Sequence, residues 1–146
     1  MPNRWGIPKD ILFTVFLLVG SLSAQSTDVK KLIQQANQGN AIAQCSIGVM
    51  YGTGRGVPQD DVQAVKWFRL AADQGFAEAQ FNLGGMYGSG QGVPQDFVQA
   101  HMWFNLAAAQ GNENGKKGRD LVAKKMTPQQ IAQAQELARN WKPKKK

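Results

Sequence analysis

One cysteine and one histidine occur in the 146 residues. A lone Cys45 cannot close a disulfide within the chain, and a lone His101 has no second histidine with which to hold a metal. No Ser-x-x-Lys occurs, and no spacing sets a Ser or Cys nucleophile beside His101 as its base. The residues therefore propose no catalytic group, no metal ligand set and no cofactor, and the chain reads as a non-enzyme. Long apolar runs are equally scarce. The longest, Ile11 to Ala24, falls short of the roughly 20 residues that a spanning helix needs. Arg4 and Lys9 precede it, and the small residues Gly20-Ser21-Leu22-Ser23-Ala24 close it, which is the pattern of a secretory signal peptide over residues 1–24, cut after Ser23 or Ala24. No Cys follows to carry a lipid. The expectation is export to the periplasm or beyond, with no transmembrane span after cleavage.

Acidic residues are also few, 10 against 17 basic ones, for a net charge of +7. The imbalance is local. Residues 1–112 carry seven basic and seven acidic side chains, and residues 113–146 carry ten and three. A basic end of this kind attracts acidic proteins or an anionic envelope surface. Export leaves nucleic acid without a role as partner.

The remainder is dominated by an internal repeat. Residues 41–76 recur without a gap as residues 77–112, with 23 of 36 positions identical. A period of this length marks stacked units, each of which cannot bury its apolar face alone. Each copy reads as two helices. Helix A runs from Ala41 to about Tyr51 and from Ala77 to about Tyr87, with small residues such as Gly48 and Gly84 that allow a neighbour to approach closely. A loop of three alternate glycines and a proline follows, Gly52 to Pro58 and Gly88 to Pro94, including Gly56 and Gly92, and it stops the helix. It lacks the Lys-Ser/Thr of a phosphate loop and the strand that precedes a dinucleotide fingerprint, so it is a turn. Asp60 and Asp96 then stand as N-caps, each with Gln three residues on, at capping-box spacing. Helix B, about Val62 to Gln74, carries Val65, Phe68 and Ala72 on one stripe with Trp67 beside it; Trp67 and Trp103 read as core. Gly75 and Gly111 supply left-handed C-caps.

The flanks are partial units. Residues 28–40 form a B-type helix without its A partner, with Val29, Leu32, Ile33 and Ala36 on one face. Residues 113–141 form a last, highly charged pair, with Leu121, Val122 and Met126 as apolar contacts on the first helix. Thr127-Pro128-Gln129-Gln130 signals the start of the second. Residues 142–146 read as a disordered basic tail, and the repeat domain as 25–141. Cys45 aligns with Phe81 and reads as a small buried filler, or alternatively as a thiol pairing between chains. His101 aligns with Val65 and reads as a partly buried helix histidine.

The order A-x-A-Q, L-G-x-M-Y, G-x-G-x-G-V-P-Q-D, A-x-x-W-F and A-A-x-Q-G, complete over Ala77 to Gly111, resembles the Sel1-like repeat family, relatives of the tetratricopeptide repeats. The resemblance implies an all-α fold: a right-handed αα-superhelix of stacked antiparallel helix pairs, about seven helices in the mature chain, serving as a binding scaffold. It implies structural roles for Gly48, Tyr51, Gly56, Pro58, Asp60, Trp67 and their equivalents Gly84, Tyr87, Gly92, Pro94, Asp96, Trp103. Some cysteine-rich relatives are associated with β-lactams, but each of their repeats holds a disulfide that is lacking here. Partner contact is expected on helix A where the copies differ, at Ile42/Glu78, Ser46/Asn82 and Val49/Gly85, with the shared Gln44 and Gln80 alongside. Two functions follow, an exported adaptor that holds another protein or attachment of the basic end to an anionic surface, with β-lactam binding or hydrolysis as a third that rests on the cysteine-rich relatives alone.

Overall fold

The computed structural model describes residues 27–145. The expected signal peptide, residues 1–24, lies outside them, as does Lys146. Among the described residues there are seven helices and no strand. They are α1 (27–37), α2 (Ala41–Thr53), α3 (Asp61–Asp73), α4 (Ala77–Ser89), α5 (Phe97–Ala109), α6 (Glu113–Ala123) and α7 (Pro128–Asn140). From α2 through to α6 successive helices pack on one another, α4 meets α6, and α7 packs on α5. The A helices α2, α4 and α6 thus form one row, and the B helices α3, α5 and α7 another, as in a solenoid of antiparallel pairs.

Helix A ends two residues later than expected, because its close is set by glycine rather than by the aromatic. Gly54 and Gly90 adopt φ of +70° and +72°, where an L side chain clashes with its own backbone, and their amides cap the carbonyls of Met50 and Met86. The glutamines that follow pin each loop: Gln59 Nε2 donates to the Gly52 carbonyl and Gln95 Nε2 to that of Gly88, at 3.2 and 2.9 Å. Asp60 and Asp96 cap α3 and α5 through the amides of Gln63 and Gln99, both at 3.0 Å. The expected return bond from these glutamines does not form. The cap amides of Asp60 and Asp96 are already donated to the carbonyls of Tyr51 and Tyr87, again at 3.0 Å. Among α2 to α7, the reciprocal box forms at α7, between Thr127 and Gln130.

Large-beside-small packing joins the two helices of a unit. A Cβ on Gly48 would stand 2.6 Å from the Phe68 ring, and one on Gly84 would stand 2.7 Å from the Phe104 ring. A Cβ on Gly118 of α6 would likewise stand 2.8 Å from the Phe104 ring. The main core gathers Phe68, Ala71, Ala72, Leu83, Trp103, Phe104 and Val122, and a second cluster joins Ala36, Ala43 and Ile47. Trp103 is buried as expected, but Trp67 is only half-buried and packs against that second, smaller cluster. The asymmetry has a cause at the chain's end: Trp103 has Trp141 edge-on at 6.1 Å. Leu121, expected as a core contact, is exposed.

Of the tail, residues 142–145 are described, and they lie against the C-terminal end of α3. Lys144 donates its amide to the Asp73 carbonyl at 2.7 Å and its ammonium to the Asp73 carboxylate at 2.6 Å. Trp141 and Pro143 lie over Gly75, both 3.7 Å from where a Cβ there would stand.

Candidate functional site

Helix A has two kinds of polar position. Gln44 and Gln80, proposed from the sequence as contacts for a partner, are buried. A buried amide must find partners, and these find them within the protein. Gln44 Nε2 donates to the Ala36 carbonyl at 3.1 Å and Gln80 Nε2 to the Ala72 carbonyl at 3.3 Å, eight residues back in each case. Their carbonyl oxygens accept from Gln74 and Gln110, both at 2.8 Å. The same four-atom joint therefore occurs at two successive unit boundaries, and α1 serves α2 as α3 serves α4. These glutamines hold the stack together and are withdrawn from solvent. The signal in the sequence is their identity in both copies, whereas a recognition position is free to vary.

The three pairs of differing positions expected to meet a partner lie on one face, whereas the pairs Cys45/Phe81 and Ile47/Leu83, which also differ, turn toward the core. Ile42, Ser46 and Val49 stand four and three residues apart on α2, and Glu78, Asn82 and Gly85 repeat the spacing on α4. One further period places Asn114, Gly118 and Leu121 on α6. Ile42 is 64% exposed and Leu121 61%, with Val49, Glu78 and Gly85 also in solvent. Ser46 and Asn82 are half-buried. Ser46 Oγ is turned onto the Ile42 carbonyl at 2.9 Å, and Asn82 Nδ2 reaches the Cys45 sulfur at 3.8 Å, across the seam between α2 and α4. Of the five proposed contact residues, Glu78 is thus openly available and Ser46 and Asn82 partly so.

Between α4 and α6 this face opens into a cleft of about 250 Å³. Gly85, Gly88 and Ser89 form one wall, Leu121, Val122 and Lys125 the other, and Phe97, Phe104 and Gly118 the floor. The room at Gly85 is real: a Cβ there would meet no atom within 4 Å. Val49 fills the equivalent place on α2. Lys125 stretches over the Phe97 ring, its Nζ 5.7 Å from the centroid. No acidic side chain, histidine or cysteine lines the cleft. Such walls hold an apolar group and favour negative charge nearby. The spacing of the repeat located the row but not the cleft, which depends on α6 lying beside α4.

The two titratable groups that the sequence singled out lie apart from this cleft. Cys45 is buried, and its thiol is pushed up to about 11, chiefly by desolvation, which makes it a poor nucleophile. His101 is 3% exposed, more deeply buried than expected, and its Nδ1 has no hydrogen-bond partner. Burial lowers its pKa first, and Arg119 pushes in the same direction. Among the described residues no His/Cys/Asp/Glu cluster has the makings of a metal site, and no helix is long and apolar enough to cross a membrane.

Comparison with known proteins agrees with this architecture. Residues 41–76 and 77–112 each match the family model of the Sel1 repeat. The structure is similar to that of a protective antigen present in uropathogenic Escherichia coli strains displaying an SLR fold. That match has 34% identity and a TM-score of 0.79, covering 88% of this chain and 28% of that one. A Sel1 repeat protein from Oxalobacter formigenes is similar at 40% identity and a TM-score of 0.63, over 66% of this chain and 28% of the other. The chain thus spans less than a third of the length of either structure. No curated protein matches it.

Proposed function

The chain is a Sel1-like repeat protein, and on that premise we propose that it is a non-enzymatic adaptor which holds another protein on its A-helix face. Sel1 repeats generally mediate protein–protein interaction. The observation that carries the reading is the contrast within helix A. Positions identical in the two copies, Gln44 and Gln80, are buried in the joints, while the differing positions Ile42, Val49, Glu78 and Gly85 lie in solvent on one face. A frame that is copied while its exposed row varies is the form expected of a recognition surface. Export to the periplasm or secreted space belongs to the same proposal. It rests on the charged, apolar and small-residue order of residues 1–24.

The test is capture of partners from envelope extract by the purified protein and by an Ile42→Asp/Glu78→Arg/Asn114→Arg variant. All three positions are exposed, so the variant is expected to melt as the wild type does and to lose the captured protein. Retention of every partner by a folded variant refutes the reading. Attachment by charge to an anionic surface predicts instead that binding persists in this variant and collapses as salt is raised, because screening acts on exposed charge. Intact-mass measurement of the exported protein checks the cut after Ser23 or Ala24.

A further inference from the structure

We propose that the cleft between α4 and α6 seats a single aliphatic side chain from an acidic segment of the partner polypeptide. This deepens the adaptor reading and rests on it.

Size is the first argument. At about 250 Å³ the cleft is smaller than the roughly 300 Å³ at which small-molecule sites begin, and it matches one side chain rather than a cofactor or a lipid chain. Its lining is apolar along both walls and the floor, with Ser89 and Lys125 as the polar side chains. Leu121, at its rim, is left to water by the fold itself. An anchor that covers Leu121 and enters above Phe104 buries surface that no part of the described chain covers. Binding energy concentrates in such a central apolar contact.

Charge decides what flanks the anchor. Lys117, Lys124 and Lys125 stand within about one helical turn of Leu121 and are all exposed. Asp120, the acid nearest to it in sequence, is engaged by Arg119 at 3.0 Å. Glu113 is eight residues away, about 12 Å along the helix. A basic segment is repelled at this rim, and a neutral one forgoes the attraction. An acidic segment is steered in by the field and then held by its anchor.

The test uses the purified full chain and a fluorescein-labelled twelve-residue peptide with one central leucine, two glutamates on either side and a glycine/serine background. Fluorescence anisotropy is expected to show saturable binding that weakens with salt. Replacing the peptide's leucine by alanine, or its glutamates by glutamine, is expected to weaken it at least tenfold. Gly85→Val fills the seat with the side chain found at position 49. Because its Cβ enters open space, its melt is expected to equal or exceed that of the wild type while peptide binding falls at least tenfold. Leu121→Asp, at an exposed position, supplies a second variant with the same expectation. Undetectable binding, indifference to the glutamates, or full binding by folded Gly85→Val overturns the inference. So does binding to phosphatidylglycerol vesicles that shows the same Gly85→Val sensitivity, which would assign the cleft to lipid. If the peptide fails while the Ile42/Glu78/Asn114 variant still abolishes capture, this inference falls alone; if capture is also unaffected, the adaptor reading falls with it.

Discussion

Gln80 is a polar side chain doing the work of a core residue. Removing it takes one hydrogen bond from the Ala72 carbonyl, which still accepts from the Gly75 amide, and one from the Gln110 amide, which still donates to the Gly75 carbonyl; at about 0.5–1.5 kcal/mol for each bond the loss comes to about 1–3 kcal/mol. Gln80→Ala is therefore expected to lower the unfolding free energy measured by urea titration by that amount, rather than to leave folding intact and spoil recognition. From the sequence alone a helix glutamine reads as surface, because its partner stands 30 residues on and becomes a neighbour only when the units stack. His101 raises a question of protonation. Its pKa lies below the ordinary 6.5 because burial disfavours the imidazolium, so the folded state keeps the neutral form while the unfolded chain takes up a proton. Its contribution to stability is complete above that value and is lost as pH falls through the folded pKa. His101→Val, which installs the residue of the first copy at position 65, is expected to flatten the fall in Tm between pH 7 and pH 5. A thermal-melt series for the two proteins measures the difference, and equal slopes contradict the sign.

At the scale of the element, the turns are where the two copies agree most and where the sequence was easiest to read. Asp60 and Asp96 were legible as caps, since a carboxylate before a helix accepts from the exposed amides of its first turn. What remained hidden is the setting of each turn within the stack. Gly92 and Gly111 both hold positive φ, of +67° and +89°, yet they differ in surroundings. A Cβ on Gly111 meets nothing within 4 Å, whereas one on Gly92 falls 2.2 Å from the Asp61 carbonyl oxygen, on the helix of the preceding unit. Gly111→Ala is expected to cost about 1–2 kcal/mol, the strain of a left-handed residue. Gly92→Ala adds to the same strain a collision with backbone, so its loss by denaturant titration is expected to exceed that of Gly111→Ala clearly. Equal losses rule out close contact between this loop and α3. The cleft was hidden for a related reason. Gly85 read from sequence is a weak helix residue, and it becomes a cavity wall only because α6 and its Gly118 lie opposite.

Across the whole molecule, the C-terminal residues close the stack by apolar contact more than by charge. The Lys144–Asp73 pair has an exposed ammonium, and exposed pairs contribute about 0–1 kcal/mol. Trp141, in contrast, lies edge-on to the buried Trp103. Deleting residues 142–146 is expected to move Tm by only a few degrees, and Trp141→Ala to cost about 3 kcal/mol or more, toward the range for aromatic truncations. A tail deletion that costs more than Trp141→Ala reverses this ranking. The path of residues 142–145 was not legible in the sequence, because it depends on Asp73, about seventy residues earlier, and on the contact of Trp141 and Pro143 with the corner at Gly75. The glycines between units have a larger consequence. Gly39, Gly75 and Gly111 all adopt the same φ of +89°, so the chain turns each corner in the same way, and after Gly39 and Gly75 it arrives in register for the Gln44–Gln74 and Gln80–Gln110 pairs. A gene that copies one 36-residue cassette more, or drops one, needs no new junction. The reach of this protein is thus a heritable integer, free to change without a single altered side chain.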